Sequence, residues 1–258
     1  MKNKKEAFSR LLEIMDVLRE QCPWDKKQTM GSLRYLTIEE LYELSDAILN
    51  KDMEEIKKEL GDILLHVVFY ARIASETNDF DISDVINNLC DKLIHRHPHI
   101  YGDVTAKNEE EVKENWEKLK LKEGKKSVLE GVPKSLPAIV KAFRIQEKVR
   151  GVGFDWENKK QVWEKVLEEI EEFKEEVKKG NQDKIESEFG DVLFALTNYS
   201  RFINVNPEDA LERTNKRFIK RFQIMEDIIK KDGLILSEMT LSNMDLYWEK
   251  AKEKYLKE

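Results

Sequence analysis

The sequence predicts an all-α protein: two tandem helical bundles of four to five helices each, with no significant sheet. Three observations predict it. Glycine and proline are scarce, at 10 and 5 of 258 residues, and 38% of residues are charged, a balance that favours helix over turn-dense β structure. Apolar residues recur at i, i+3 and i+4, as in Ile56, Leu60, Ile63, Leu64, Val67, Val68 and Ala71, whereas no segment alternates with period two. The chain also repeats itself.

The elements follow in order. Thr37-x-x-Glu40 predicts a capping-box helix start, running to about residue 50. Asp52-x-x-Glu55 opens a second helix, running to about residue 77. From Ile63 to Ala74 this helix is apolar nearly all round, which predicts burial on several sides, at a bundle centre or a subunit interface. Further helices are expected over about 82–95 and 109–121. The second half gives the same series, over about 159–179, 183–202, 207–231 and 242–257. The expected division is a helical domain over 1–122, a linker over 123–137 holding Gly131, Pro133 and Pro137, and a second helical domain over 138–258.

The repeat is visible without gaps. Residues 38–73 lie over 167–202 at an offset of 129, and ten of the 36 positions are identical. Five of the ten are acidic: Glu39/Glu168, Glu40/Glu169, Glu43/Glu172, Glu59/Glu188 and Asp62/Asp191. A scaffold duplicated for packing alone would keep core positions first, so retained acids point to a retained chemical task. Beyond the ungapped stretch, Lys92 and Arg96 fit Arg217 and Arg221 if the second copy lost about four residues. Each copy ends in Trp-x-x-x-Lys, as Trp116/Lys120 and Trp248/Lys252.

Charge and composition exclude several classes. The net charge is −7, which gives no global electrostatic case for nucleic acid or a membrane surface, so neither is an expected partner. No apolar run approaches a transmembrane span, the first twenty residues lack the apolar stretch of a signal peptide, and two cysteines make no disulfide framework. A reducing, cytoplasmic setting is expected. No Gly-x-x-x-x-Gly-Lys-Ser/Thr loop is present.

The acids suggest a cation site. At about 100° per residue, Glu39 and Glu43 lie about 40° apart and Glu40 about 60° from Glu43, so all three share one side of a helix. Glu59 and Asp62, at i and i+3, also face one way. A short turn near Lys51 makes the two helices antiparallel, so four or five carboxylates converge between them. Such a cluster repels itself unless a cation binds. Oxygen ligands without Cys or His select Mg²⁺, with Mn²⁺ as a substitute. In the second half two Glu-Glu-x-x-Glu motifs overlap, starting at Glu168 and at Glu171, and the ungapped repeat selects the first. None of the four histidines has an acid three residues before it, which opposes a di-iron carboxylate bundle.

Taken in order, Cys22–Leu33 (CPWDKKQTMGSL), the paired EExxE…ExxD motifs, Arg96–Asp103 (RHPHIYGD), Lys148–Trp156 (KVRGVGFDW) and Glu186–Ala195 (ESEFGDVLFA) resemble the MazG-type nucleoside triphosphate pyrophosphohydrolases. The resemblance spans essentially the whole chain. It implies an all-α homodimer holding Mg²⁺ on carboxylates and converting NTP or dNTP and water to NMP or dNMP and diphosphate, with broad base specificity. It implies metal ligands Glu40, Glu43, Glu59 and Asp62 in the first half and Glu169, Glu172, Glu188 and Asp191 in the second. Glu39 and Glu168 lead each motif and assist metal or water. Nucleotide contacts fall on Lys92, Arg96, Trp116 and Lys120, and on Arg217, Arg221, Trp248 and Lys252. Arg217 departs from the lysine common in the family, which keeps charge but changes geometry. Both acidic sets are complete, so either half or both can be active. A non-catalytic nucleotide- or metal-sensing helical dimer is the alternative, and an inert helical interaction protein a third.

Overall fold

The structure is a computed structural model that describes residues 2–102, 105, 108, 111–112 and 127–256. It is all-α, with no strand among the described residues. The chain divides into two compact units, 1–112 and 113–258. Of the expected helix over 109–121, only Glu111 and Val112 are described, and both are helical. Trp116, Lys120 and the start of the expected linker lie outside the described residues.

The first unit contains α1 (Lys2–Gln21), a 3-10 turn at Asp25–Lys27, α2 (Met30–Asn50), α3 (Met53–Ser75), α4 (Ile82–Arg96) and the short α5 (Pro98–Tyr101). α1 lays Phe8, Leu11, Leu12 and Met15 on one face, at i, i+3, i+4 and i+7. These pack with Leu33 of α2 and Val68 and Phe69 of α3 to make the core. Full burial of a side chain such as Phe69 contributes about 2–3 kcal/mol. The helix expected from Thr37 begins two turns earlier, at Met30, because the reciprocal cap is formed by Thr29 and Ser32. Thr37 is an interior residue: its hydroxyl lies 3.0 Å from the carbonyl of Leu33 and 2.7 Å from the hydroxyl of Tyr70. The apolar stretch of α3 is not buried all round. Val68, Phe69, Ala71 and Ala74 are buried, whereas Leu60, Leu64 and Val67 form an exposed stripe.

The second unit contains α6 (Ala138–Arg150), α7 (Lys159–Lys179), α8 (Gln182–Phe202), α9 (Pro207–Lys231), a 3-10 turn at Leu236–Glu238 and α10 (Leu241–Tyr255). α7 and α8 pair closely, α6 packs on α8, and α9 packs on α10 and α6. The α9–α10 contact buries Ile224, Met225, Ile229 and Ala251. Lys148 of α6 is buried, and its ammonium donates to the carbonyls of Val128 and Glu130, tying down the segment that leads into the unit.

Both units use the same hairpin. In the first, Lys51 takes the left-handed conformation (φ 58°) and Asp52 caps α3 through the amides of Glu54 and Glu55. In the second, Gly180 takes it (φ 74°) and Asn181 caps α8. A non-glycine residue in that conformation costs about 1–2 kcal/mol, so the turn geometry is held by the packing of the helices it joins. The two-residue connection forces α2 against α3, and α7 against α8, antiparallel and in fixed register.

Arg19 closes the first unit. Its guanidinium donates to both oxygens of Glu76 (2.8 and 3.0 Å) and to the carbonyls of Asp25 and Gln28. The bond from Arg19 holds the Glu76 carboxyl below its ordinary value. That stabilisation is complete above the ordinary carboxylate range and is lost as pH falls through the folded value. Arg19→Met is therefore expected to lower stability by about 1–2 kcal/mol at neutral pH, and the gap to wild type should narrow in acid. Urea unfolding followed by tryptophan fluorescence at both pH values checks this.

Candidate active site

Each hairpin gathers a group of carboxylates. In the first unit, oxygens of Glu40 and Glu43 from α2 and Glu59 from α3 lie within 4.8 Å of one another. Glu59 is only 2% exposed. Its Oε1 accepts from the Lys58 ammonium at 2.9 Å, while Oε2 is buried without a hydrogen-bond partner. Lys58 holds the Glu59 carboxyl below its ordinary value, against the opposing effect of burial. Glu40 is shifted the other way: burial raises it first, then a hydrogen bond with Glu59 and the charges of Asp62, Glu43 and Glu59. Asp62 thus sits close enough to act on Glu40 but outside the tight group. Glu39 is exposed on α2.

The second unit repeats the arrangement. Oxygens of Glu169 and Glu172 from α7 and Glu188 from α8 lie within 4.8 Å of one another. Glu169 is buried, Glu188 half-buried and Glu172 exposed. Glu172 is raised by desolvation first and by Glu169, Glu168 and Glu188, with Lys165 opposing. The Lys165 ammonium bridges Glu168 and Glu169 at 2.8 Å to each. Of the two overlapping motifs, the one beginning at Glu168 supplies the group. Glu171 and Glu175 face lysines of their own helix instead, Lys174 and Lys179. Asp191 stands outside the tight group and, with Glu169, lines an adjoining cavity of about 520 Å³.

The described basic and aromatic candidates lie on helices other than those that carry the carboxylates. Lys92 is exposed and Arg96 half-buried on α4. Arg217 is exposed on α9 and donates to the Thr214 hydroxyl. The Arg221 guanidinium lies 5.0 Å from the centre of the Tyr255 ring, with a buried Nε that has no partner. Trp248 stacks at a tilt on Phe218, 5.1 Å between ring centres, and packs on the α9–α10 core. Lys252 pairs with Glu249. These four lie on α9 and α10, whereas the carboxylates lie on α7 and α8.

Two features of the site were not among the sequence candidates. One is the lysine built into each acidic group, Lys58 and Lys165. Lys165 stands three and four residues before Glu168 and Glu169, a helical spacing that signals such a pair. The other is the cavity, walled by residues of α6, α7, α8 and the Gly153–Trp156 loop. The loop is held by Asp155, which accepts from Arg201 at 2.5 Å.

Tandem helical hairpins, each with three glutamates converging on one point, define a class of all-α proteins with a duplicated acidic group. The comparisons with known proteins give that class a family. Residues 28–101 and 157–224 match the MazG nucleotide pyrophosphohydrolase domain. The chain is 46% identical to the nucleoside triphosphate pyrophosphohydrolase/pyrophosphatase MazG of Thermotoga maritima, covering 98% of each. It is 41% identical to the nucleoside triphosphate pyrophosphohydrolase of Escherichia coli, covering 95% of this chain and 97% of that one. A solved mazG-related protein from Thermotoga maritima is 26% identical, covering 44% of this chain and 98% of the other, with a TM-score of 0.40. The chain belongs to the MazG nucleotide pyrophosphohydrolase family.

The raised Glu40 carboxyl has a consequence for stability. Its ionisation opposes folding at neutral pH, so Glu40→Gln should raise the melting temperature by about 1–3 °C in chelator-treated protein at pH 7. The gain should vanish in acid, where Glu40 is protonated in both states. Calorimetric melting of the two proteins in EDTA measures it.

Proposed function

We propose that this chain is a Mg²⁺-dependent nucleoside triphosphate pyrophosphohydrolase, converting NTP or dNTP and water to the monophosphate and diphosphate with tolerance for the base. The observation that carries this reading is the duplicated group of three convergent glutamates, at equivalent positions in both hairpins. The donor set suits the metal. All candidate ligands are carboxylate oxygens, Glu59 Oε2 is buried and unpartnered, and Glu40 and Glu172 are pushed up by desolvation and then by neighbouring acids. Glu40, Glu43 and Glu59, with Asp62 beside them, would hold the ion in the first unit; Glu169, Glu172 and Glu188, with Asp191, would hold it in the second. An ion held there would supply neutralisation of phosphate charge and a water of lowered pKa.

The protein's own groups supply the rest. Glu39 and Glu168, exposed and leading each motif, orient the attacking water and take its proton. Lys58 keeps Glu59 ionised, and so competent as a ligand, while Lys165 bridges Glu168 and Glu169 and offsets their charge. Arg217, Arg221, Trp248 and Lys252, with Lys92, Arg96, Trp116 and Lys120 in the first half, are the proposed nucleotide contacts. The alternative, a nucleotide or metal sensor, keeps the same residues and releases no diphosphate. Product analysis of ATP with Mg²⁺ by ³¹P NMR separates the two: AMP and diphosphate are expected. Diphosphate release should fall at least about 100-fold when Glu43→Ala and Glu172→Ala are combined. Intact ATP in the wild type overturns the hydrolase reading for that substrate.

A homodimer is part of the proposal. Leu60, Leu64 and Val67 form an exposed apolar stripe on α3, and Phe189, Leu193 and Leu196 form its counterpart on α8 at the same offset of 129. Exposed apolar stripes of this kind mark interaction surfaces, and a second copy of the chain is the proposed partner. Leu64→Glu combined with Leu193→Glu should convert the dimer to monomer by sedimentation velocity. No helix among the described residues is long and apolar enough to cross a membrane. Two free cysteines accord with the proposed cytoplasmic setting.

A further inference from the structure

The cavity beside Glu169 and Asp191 contains chemistry that the acidic site does not use. Its volume, about 520 Å³, falls in the range of small-molecule sites. Phe154 and Trp156 form part of its wall and are exposed at 79% and 45%, so two flat rings face solvent where a planar ligand could lie on them. Gln146 of α6 also lines it and is 3% exposed. Its Nε2 donates to the carbonyl of Phe194 at 2.8 Å, which fixes the amide's orientation. The Oε1 on the other side is buried with no partner. A buried acceptor left unpaired costs about 1–3 kcal/mol. One turn along α8 from Phe194, Asn198 lines the same cavity. Its Oδ1 accepts from Arg201 at 2.6 Å, which leaves its Nδ2 as the available donor.

The first unit carries different side chains at the corresponding positions. At the repeat offset, Ala195 and Asn198 correspond to His66 and Phe69. Phe69 is 1% exposed within the core and His66 is 6% exposed. Bulk fills the first hairpin where the second carries small and amide side chains, although both hairpins keep the same acids. The difference therefore concerns what lies beside the acids, not the acids themselves.

We propose that this cavity in the second unit receives the nucleobase, and that Gln146 Oε1 accepts a hydrogen bond from a base N–H while Asn198 Nδ2 donates to a base acceptor. This rests on the nucleotide reading of the acidic site, which the cavity adjoins through Glu169 and Asp191. Every nucleobase presents both an N–H and an acceptor on its pairing edge. One acceptor and one donor on flexible amides, with aromatic rings beside them, accept any of them and still require that an N–H be present. The pair thus sets a specificity that is broad among natural bases and closed to a base lacking the donor.

Purine riboside triphosphate is that probe, because it retains the ring acceptors of adenine and lacks the 6-amino group. The α,β-methylene analogues of ATP and of purine riboside triphosphate block cleavage, so affinity can be read by calorimetry on the full chain with Mg²⁺. Wild type should bind the adenine analogue about ten-fold more tightly. Gln146→Met, which keeps length and bulk, should bring the two affinities together. Equal affinities in the wild type, an unchanged preference in Gln146→Met, or binding of neither analogue overturns the proposal. The wild-type comparison stands even if the variant melts early. Diphosphate release from ATP is measured separately. Release with no Gln146-dependent preference rejects the base pocket alone. Gln146-dependent binding without release rejects the hydrolase and leaves the pocket.

Discussion

Three glutamate oxygens held within 4.8 Å of one another form the constraint on which the rest of each unit depends. Like charges at that separation repel, and no surface helix would gather them unaided. The two-residue turn brings the helices into antiparallel register, and the core behind them keeps the acids facing one another. Charge is then offset from within: Lys58 meets Glu59, and Lys165 meets Glu168 and Glu169. The upward shifts of Glu40 and Glu172 come from desolvation first and from the neighbouring acids after it. The groups themselves recur at equivalent places in both halves, Glu40, Glu43 and Glu59 against Glu169, Glu172 and Glu188, which is the basis of the proposed cation sites.

The halves share this device and differ around it. The first closes its hairpin with an aromatic core, Phe69 against Met15, Leu33 and Val68. The second opens a cavity there and borrows walls from α6 and the Gly153–Trp156 loop. Arginine is kept at one repeat position with different work in each. Arg72 reaches Asp16 and Glu76, binding α1 to α3, whereas Arg201 holds Asp155 and braces the loop over the cavity. Duplication preserved the acids and let the support around them diverge.

The helical hairpins were legible in the sequence because their signals are local. Spacing at i, i+3 and i+4, the cap at Asp52 and the short turn are set by neighbours in the chain. The repeat selects the motif beginning at Glu168, and the geometry groups its Glu169 and Glu172 with Glu188, leaving Glu168 and Asp191 outside. The start of α2 was missed because its cap pairs Thr29 with Ser32, a combination less conspicuous than Thr37 with Glu40. Helices α1 and α6 were not assigned, although Phe8, Leu11, Leu12 and Met15 carry a helical period; dense charge among them obscured it. The cavity was beyond reach. It depends on Gln146 meeting a carbonyl 48 residues away, and on side-chain volume that only packing reveals. Trp248 illustrates the same limit, since its spacing is visible but its seat against Phe218 is tertiary.

The hairpin turn has a final consequence. Lys51 and Gly180 occupy one backbone conformation at the same repeat position, so the turn tolerates very different side chains. It does not tolerate a different length. Inserting one residue after Lys51 would swing the following helix by about 100° and advance it by about 1.5 Å, carrying Glu59 away from Glu40 and Glu43. Through this region the chain is therefore free to drift in spelling but not in spacing, which is how two copies with ten identities in 36 positions still align without a gap.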